Sequence, residues 1–402
     1  MNSERTNWTG VAFGLSLAAF VALQHYRLPP LLPTLLADYG YGRVLAGGLM
    51  SVYALAGLSL SMVAGRWLHR HGARAAIIAI GLLFIAGNLL GLVAPEHGWI
   101  MLTSRAIEGI GFTVGAVMAP AIAIVHASAR HRPLVIGMNA AWIPTGQLIA
   151  SALTPVSLAL GGWQPMWIFV AVLALGLLAW GRLGDRNAYL APEPATDGGR
   201  HAKFARNELI LLWLGGALFM LWGGQYAALF TWMPTYLVEV YGFPDVGAVA
   251  GYSLPVAILL VFNVLTGLFL RWGLSLSWMI AGSCVSQAAF WWLIPYVGPG
   301  VDGVLLLVFY GIGAGVAPTC LFALPTAIVG PRRTAGAFGI IMTGRNVGVF
   351  LGPIAFAQGM IWFASWHGGW SGAIVMFAIV TSLAAVIAIV LGMRLRDRKA
   401  TL

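Results

Sequence analysis

Residues 182–208 read RLGDRNAYLAPEPATDGGRHAKFARNE, the longest polar stretch in a chain of 402 residues. Gly, Pro, Asp and Arg recur through it, the composition of a linker rather than of a packed element. Outward from it in both directions the sequence turns apolar. Runs of about 20 or more residues, long enough to cross a bilayer as helices, lie near 10–36, 45–64, 75–94, 98–126, 134–160 and 165–182. A second set lies near 208–238, 247–270, 275–296, 303–329, 336–363 and 370–393. The expected architecture is all-α: an N-terminal six-helix half (1–182), a cytoplasmic linker (183–207) and a C-terminal six-helix half (208–402).

Composition agrees. The chain is 60% hydrophobic and 8% charged, against about 25% charged in ordinary soluble domains. An outer surface so poor in charge belongs in lipid, where helices satisfy their own backbone groups. The N-terminus lacks a basic segment followed by a short apolar run and a small-residue cleavage site, so the first run reads as a retained helix. Cys284 and Cys320 sit in separate apolar runs and form no disulfide framework or metal-ligand spacing.

The net charge of +10 arises from scattered Arg clusters, without the basic, aromatic-interleaved groove that nucleic acid requires. Of 22 basic residues, 18 fall on one side if both termini are cytoplasmic, and Arg43 alone on the other, beside Asp38, Glu96, Glu239, Asp245 and Asp302. That asymmetry is the positive-inside pattern of a multi-pass protein with an even number of spans. Only two Lys occur, which points to a high-GC bacterial genome and hence to a bacterial inner membrane.

A shift of about 201–202 residues lays one half over the other. Gln24, Pro33, Thr34, Leu36 and Asp38 fall on Gln225, Pro234, Thr235, Leu237 and Glu239, and Gly109-Ile110-Gly111 falls on Gly311-Ile312-Gly313. Gly65 and Leu68 match Gly267 and Leu270, while Gly137 and Gly146 match Gly339 and Gly348. Two parallel six-helix halves follow, related by a pseudo-two-fold axis along the membrane normal.

Gly65-Arg66-Trp67-Leu68-His69-Arg70-His71-Gly72-Ala73-Arg74 resembles the signature loop between helices 2 and 3 of the major facilitator superfamily, with His69 where that pattern has Asp. Arg105 followed by Gly109 resembles the same family's helix-4 motif. Gly223 to Pro234 is similar to helix 7 of the cyanate and nitroimidazole transporter-like branch. The resemblance covers essentially the whole chain. It implies alternating access around a central cavity lined by helices 1, 4, 7 and 10 and parts of 2, 5, 8 and 11.

Charges buried in the spans are few: Arg27, Arg105, Arg345 and Glu108. Each is costly in hydrocarbon and so faces a cavity or a partner. The repeat pairs them with Ala228, Leu307, Ile143 and Tyr310, so the fold itself does not demand a charge at these positions. Arg105 and Glu108 can pair across one turn, either as a packing ion pair or as a gated one. If they neutralise each other, Arg27 and Arg345 leave a balance of about +2, which suits an anion. At about 1.5 Å per residue the three Arg differ in depth by roughly 10–15 Å, so snorkelling to an interface is an open alternative.

The candidate solute site therefore comprises Arg27, Arg345, Arg105, Gln225, Asn346, Tyr26, Asn139 and Trp142, with Glu108 and His25 as candidate proton carriers. Pro29, Pro30 and Pro33 are expected to break the first span just past Arg27, and Pro144, Pro155, Pro318, Pro325 and Pro353 to break others. No nucleophile elbow, phosphate loop or His-Glu-x-x-His helix occurs, and no cofactor motif. The expected function is secondary transport of a small anion, possible coupling being to protons; the alternatives are drug efflux, a non-transporting sensor and, least favoured, a membrane enzyme. The chain is read as a monomer whose partners are the solute and the lipid bilayer.

Overall fold

The computed structural model describes residues 5–183, 204–330 and 333–400. The expected linker falls largely outside these, as do the side chains of Arg66 and His69. The chain divides into two compact units, Met1–Ala195 with Phe243–Ala250, and Thr196–Gly242 with Gly251–Leu402. The described residues contain thirteen α-helices and no strand.

In the first unit these are α1 (Trp8–Tyr26), α2 (Leu28–Tyr39), α3 (Arg43–Val93), α4 (Gly98–Val125), α5 (Arg132–Ala140), α6 (Trp142–Ala159) and α7 (Gln164–Leu183). They make six spans. α1 and α2 are one span broken at Arg27, where Pro29 and Pro30 remove two amide donors. α3 is two spans meeting at Gly72, whose φ of 77° and ψ of 171° only glycine adopts readily. α5 and α6 are one span interrupted at Ala141, three residues before Pro144. Pro33, Pro155, Pro318, Pro325 and Pro353, expected to break helices, lie within continuous ones.

The second unit holds α8 (Arg206–Tyr241), α9 (Asp245–Arg271, its first turns grouped with the first unit), α10 (Leu276–Leu293), α11 (Val301–Val329), α12 (Thr334–Trp362) and α13 (Trp370–Ala400). Among the described residues the helices thus make twelve spans, six per half. By length and hydropathy alone, nine helical stretches among the described residues are able to cross a membrane. The other three are α7, the interrupted α5–α6, and α10, whose Gln287, Trp291 and Trp292 dilute its hydropathy.

Exposed apolar side chains recur at helical spacing, such as Ile168, Val172 and Leu175 on α7 and Ile379, Leu383 and Val386 on α13. These faces belong to lipid. Lipid gives helices no hydrophobic reason to associate, so close contact between small residues takes over. In the first unit Phe13, Leu17 and Val21 pack with Ile80, Phe84, Met118 and Ile122. In the second, α12 lies backbone to backbone on α8. A methyl group on Gly344, Gly348 or Gly352 would overlap the carbonyl oxygen of Gly216, Met220 or Gly224 respectively.

Each unit also ties the start of its first helix to the segment before its fifth span. In the second unit Arg333 donates two hydrogen bonds of 2.7 Å to the carboxylate of Glu208, which also accepts the Ala205 amide at 3.0 Å. The hydrogen bond from Arg333 to Glu208 holds the guanidinium above its usual pKa. The repeat carries Glu208 and Arg333 onto Thr6 and His131. There the tie has no carboxylate–guanidinium pair: Thr6 Oγ1 lies 2.8 Å from His131 Nδ1 and donates to Ser128 Oγ at 2.8 Å.

Candidate functional site

The break at Arg27 has a direct consequence inside the first unit. Pro29 has no N–H, so the carbonyl of His25, four residues earlier, loses its helical donor. Arg105, reaching across from α4, supplies a substitute: its Nη2 donates to His25 O at 2.8 Å. Its Nη1 donates to Gln24 O at 3.1 Å and to Glu108 Oε2 at 2.8 Å, and its Nε donates to Leu49 O at 3.3 Å. All three Arg105 nitrogens are used.

Glu108 stands one helical turn beyond Arg105 and binds a second guanidinium with its other oxygen. Arg27 Nη2 donates to Glu108 Oε1 at 2.7 Å. Tyr53 OH donates to Oε2 at 2.5 Å. Arg27 Nη1 donates to Asn88 Oδ1 and, at 3.4 Å, to Gln24 Oε1. Asn88 Nδ2 donates to Phe84 O at 2.6 Å and to Gln24 Oε1 at 3.4 Å. The Trp167 ring lies under Arg27, 4.0 Å from Cζ to centroid, and the Tyr53 ring under Arg105 at 4.3 Å.

Arg27, Arg105 and Glu108 are 0% exposed. Glycine makes the room: a Cβ at Gly87, beside Asn88, would overlap Cγ of Glu108. Pairing and hydrogen bonding offset the cost of burying such charges, and removing one partner of a buried pair costs about 3–5 kcal/mol. Both desolvated cation–π contacts add to the hold, each at about 2 kcal/mol. The cluster contains two cations and one anion. It does not snorkel.

This arrangement changes the charge ledger read from the sequence. Glu108 does not pair with Arg105 alone, leaving Arg27 over; it serves both. Aromatic contacts extend the cluster. His25 lies 4.4 Å from the ring centroids of both Tyr26 and Tyr53, and Tyr53 meets Phe112, which stacks on Trp142 at 5.8 Å. Six of the ten candidate residues, Arg27, Arg105, Glu108, His25, Tyr26 and Trp142, are thus in one neighbourhood. Asn139 is in the same unit but turns to α4, donating to Pro120 O at 3.4 Å.

The other three lie in the second unit. Arg345 and Asn346 on α12 are half-buried, and Arg345 Nη1 donates to Asn346 Oδ1 at 3.0 Å. Gln225 is the repeat partner of Gln24 and centres a second buried network. It donates to Gln287 Oε1 and accepts from Trp291 Nε1 at 2.9 Å and Tyr310 OH at 3.1 Å. Gln287 in turn donates to Ser283 Oγ at 3.0 Å. Tyr310 is the repeat partner of Glu108, so the two halves hold equivalent polar knots, one charged and one neutral.

Tyr53, Asn88, Trp167 and Gln287 were not among the residues singled out from the sequence. For Asn88 and Gln287 a signal existed: an amide within an apolar span needs a partner. For Tyr53 and Trp167 there was none, since an aromatic in a span is ordinary.

The family model for the Major Facilitator Superfamily matches residues 12–353. The cyanate transport protein CynX of Escherichia coli (strain K12) is 31% identical over 231 residues, which span 56% of this chain and 56% of that protein. The chain thus matches about half the length of that relative. The uncharacterized MFS-type transporter YbcL of Bacillus subtilis (strain 168) is 25% identical over 399 residues, 92% of this chain and 94% of its own. Among solved structures, a bacterial homologue of the human lysosomal transporter Spinster, inward-facing and unoccupied, superposes with a TM-score of 0.77. It has 15% identity and covers 97% of this chain and 98% of that one. The D-xylose–proton symporter gives 0.72 at 18% identity, covering 94% and 96%. At such identities these likenesses speak for the fold alone.

Proposed function

The chain belongs to the Major Facilitator Superfamily, and from that premise we propose that it carries a small anion across a bacterial inner membrane by proton-coupled alternating access. The observation that carries this reading is the buried cluster of two arginines and one glutamate, fully enclosed in the first unit. A site with one cation in excess, at a depth where charge is costly, favours a solute that brings negative charge. Arg345 on α12 is a further guanidinium within the spans, in the second unit. Similarity to a protein named for cyanate transport is in keeping with a small anion.

Coupling follows from the sharing of Glu108. Protonation of its carboxylate would take the anionic partner from Arg27 and Arg105, and an entering anion would replace it. Proton and anion together leave the cluster's charge unchanged. Both termini are cytoplasmic in this reading, by the 18-to-1 distribution of basic residues.

Reconstitution in proteoliposomes tests it, with uptake and counterflow of a panel of small anions and cationic dyes, with and without a pH gradient. Saturable anion exchange is expected, lost in Arg27→Gln and Arg345→Gln and retained in Arg43→Gln. Dye export indifferent to both losses, with no anion flux, would overturn the reading.

A further inference from the structure

The hydrogen-bond ledger of the charged knot is one-sided. Every acceptor in it is engaged: both oxygens of Glu108, Oδ1 of Asn88 and Oε1 of Gln24. Around the Arg27 side chain three buried side-chain atoms make no hydrogen bond, and all three are donors: Nε of Arg27, Nε2 of Gln24 and Nε1 of Trp167. The orientation of Gln24 is not arbitrary, since the two donors that meet its side chain, from Arg27 and Asn88, require oxygen at that end. These donors are neighbours: Gln24 binds Arg27, and Arg27 lies on the Trp167 ring. An unmade hydrogen bond on a buried donor costs about 1–3 kcal/mol. Three such donors stand together in one cluster.

The second unit supplies the comparison. There Gln225 and Tyr310, the repeat partners of Gln24 and Glu108, join Gln287 and Trp291, and no side-chain polar atom of these four is left unpartnered. A buried knot in this fold can close on itself. The one carrying the extra positive charge is the one left short of acceptors.

We propose that Arg27 Nε, Gln24 Nε2 and Trp167 Nε1 are the donors of a site for a small monovalent anion that carries acceptor atoms only. This rests on the anion-transport reading above and narrows it. With Glu108 ionised, charge balance asks for one negative charge, and the unmade donors ask for acceptors. Anions bearing O–H groups, such as dihydrogen phosphate, bring one more donor to a knot whose acceptors all receive hydrogen bonds already. Sugars and amines fail on the same ground, and dianions overshoot the charge.

The test uses purified full-length protein and calorimetric titration with nitrate, thiocyanate and dihydrogen phosphate at constant ionic strength. Nitrate and thiocyanate are expected to bind saturably and dihydrogen phosphate at least about tenfold more weakly, the measure of a lost hydrogen bond to a charged group. Trp167→Phe keeps the ring under Arg27 and removes one donor, so nitrate affinity should drop about tenfold. Gln24→Glu supplies a built-in acceptor and charge; nitrate binding should vanish while the thermal midpoint rises, whereas a merely structural Gln24 would give a lower midpoint. Tyr310→Phe, in the neutral knot, should leave nitrate affinity as it is. Unchanged nitrate affinity in Trp167→Phe and Gln24→Glu overturns the site, and equal affinity for dihydrogen phosphate overturns the acceptor-only class. If anion counterflow nevertheless persists in proteoliposomes, only this inference falls; if no anion exchanges at all, the transport reading falls with it.

Discussion

Nη2 of Arg105 donates to the carbonyl oxygen of His25 at 2.8 Å, closing from α4 the hydrogen bond that Pro29 cannot make. A helix break in one span and an arginine in another are thus two halves of one device. The flat, forked guanidinium meets the carbonyls of Gln24, His25 and Leu49 and the Glu108 carboxylate together, four acceptors where an ammonium has three donors.

Arg105→Lys is therefore not conservative here. The variant should insert but lose about 3–5 kcal/mol of stability, and its anion counterflow should fall at least about tenfold. Thermal melts and counterflow on the same preparation check both. A lysine variant with parental midpoint and flux would refute the anchoring role.

Glu108→Gln separates binding from coupling. The amide still accepts a hydrogen bond but cannot take up or release a proton as a carboxylate does. Anion counterflow should persist, with lowered thermal stability, while accumulation driven by a pH gradient disappears. Continued gradient-driven accumulation would remove Glu108 from the proton path.

The α8–α12 contact predicts opposite outcomes for two glycines of the same helix. Gly348→Ala drives a methyl into the carbonyl of Met220, so the midpoint should drop and expression with it. Around Gly339 a new Cβ meets nothing within 4 Å, and alanine there should be neutral or stabilising by up to about 1 kcal/mol. Equal effects in the two variants would show that the seam is not close-packed.

Glu208 and Arg333 should behave as a unit. Each single change to Gln lowers the thermal midpoint, and the double variant should lose little more than either alone. Arg333 is held above its ordinary pKa by the bond to Glu208; it is therefore charged below its unfolded value, and the tie's contribution is lost only as pH rises through the higher folded value. Between neutral and mildly alkaline pH the midpoint difference should stay constant. Additive losses would mean the two act separately.

The spans were legible because length, hydropathy and the placement of Arg act locally along the chain. So was the link between Arg105 and Glu108, three residues apart on one helix. The bond from Arg27 to Glu108 joins residues 81 positions apart, and nothing in local spacing announces it. Tyr53 and Trp167 were invisible for a related reason, since their roles depend on which cation comes to rest on each ring. The breaks were half legible: Pro29, Pro30 and Pro144 interrupt their spans, whereas Pro33, Pro155, Pro318, Pro325 and Pro353 are absorbed into continuous helices.

The glycine seam has a mechanical corollary. With carbonyls of one helix lodged against bare α-carbons of the other, α8 and α12 mesh like a gear and its rack, the teeth set four residues apart, about 6 Å. Such a pair cannot creep by fractions of a tooth without collision. Whatever bending the second unit undergoes during a transport cycle must be taken up elsewhere, leaving α8 and α12 to travel as a single beam.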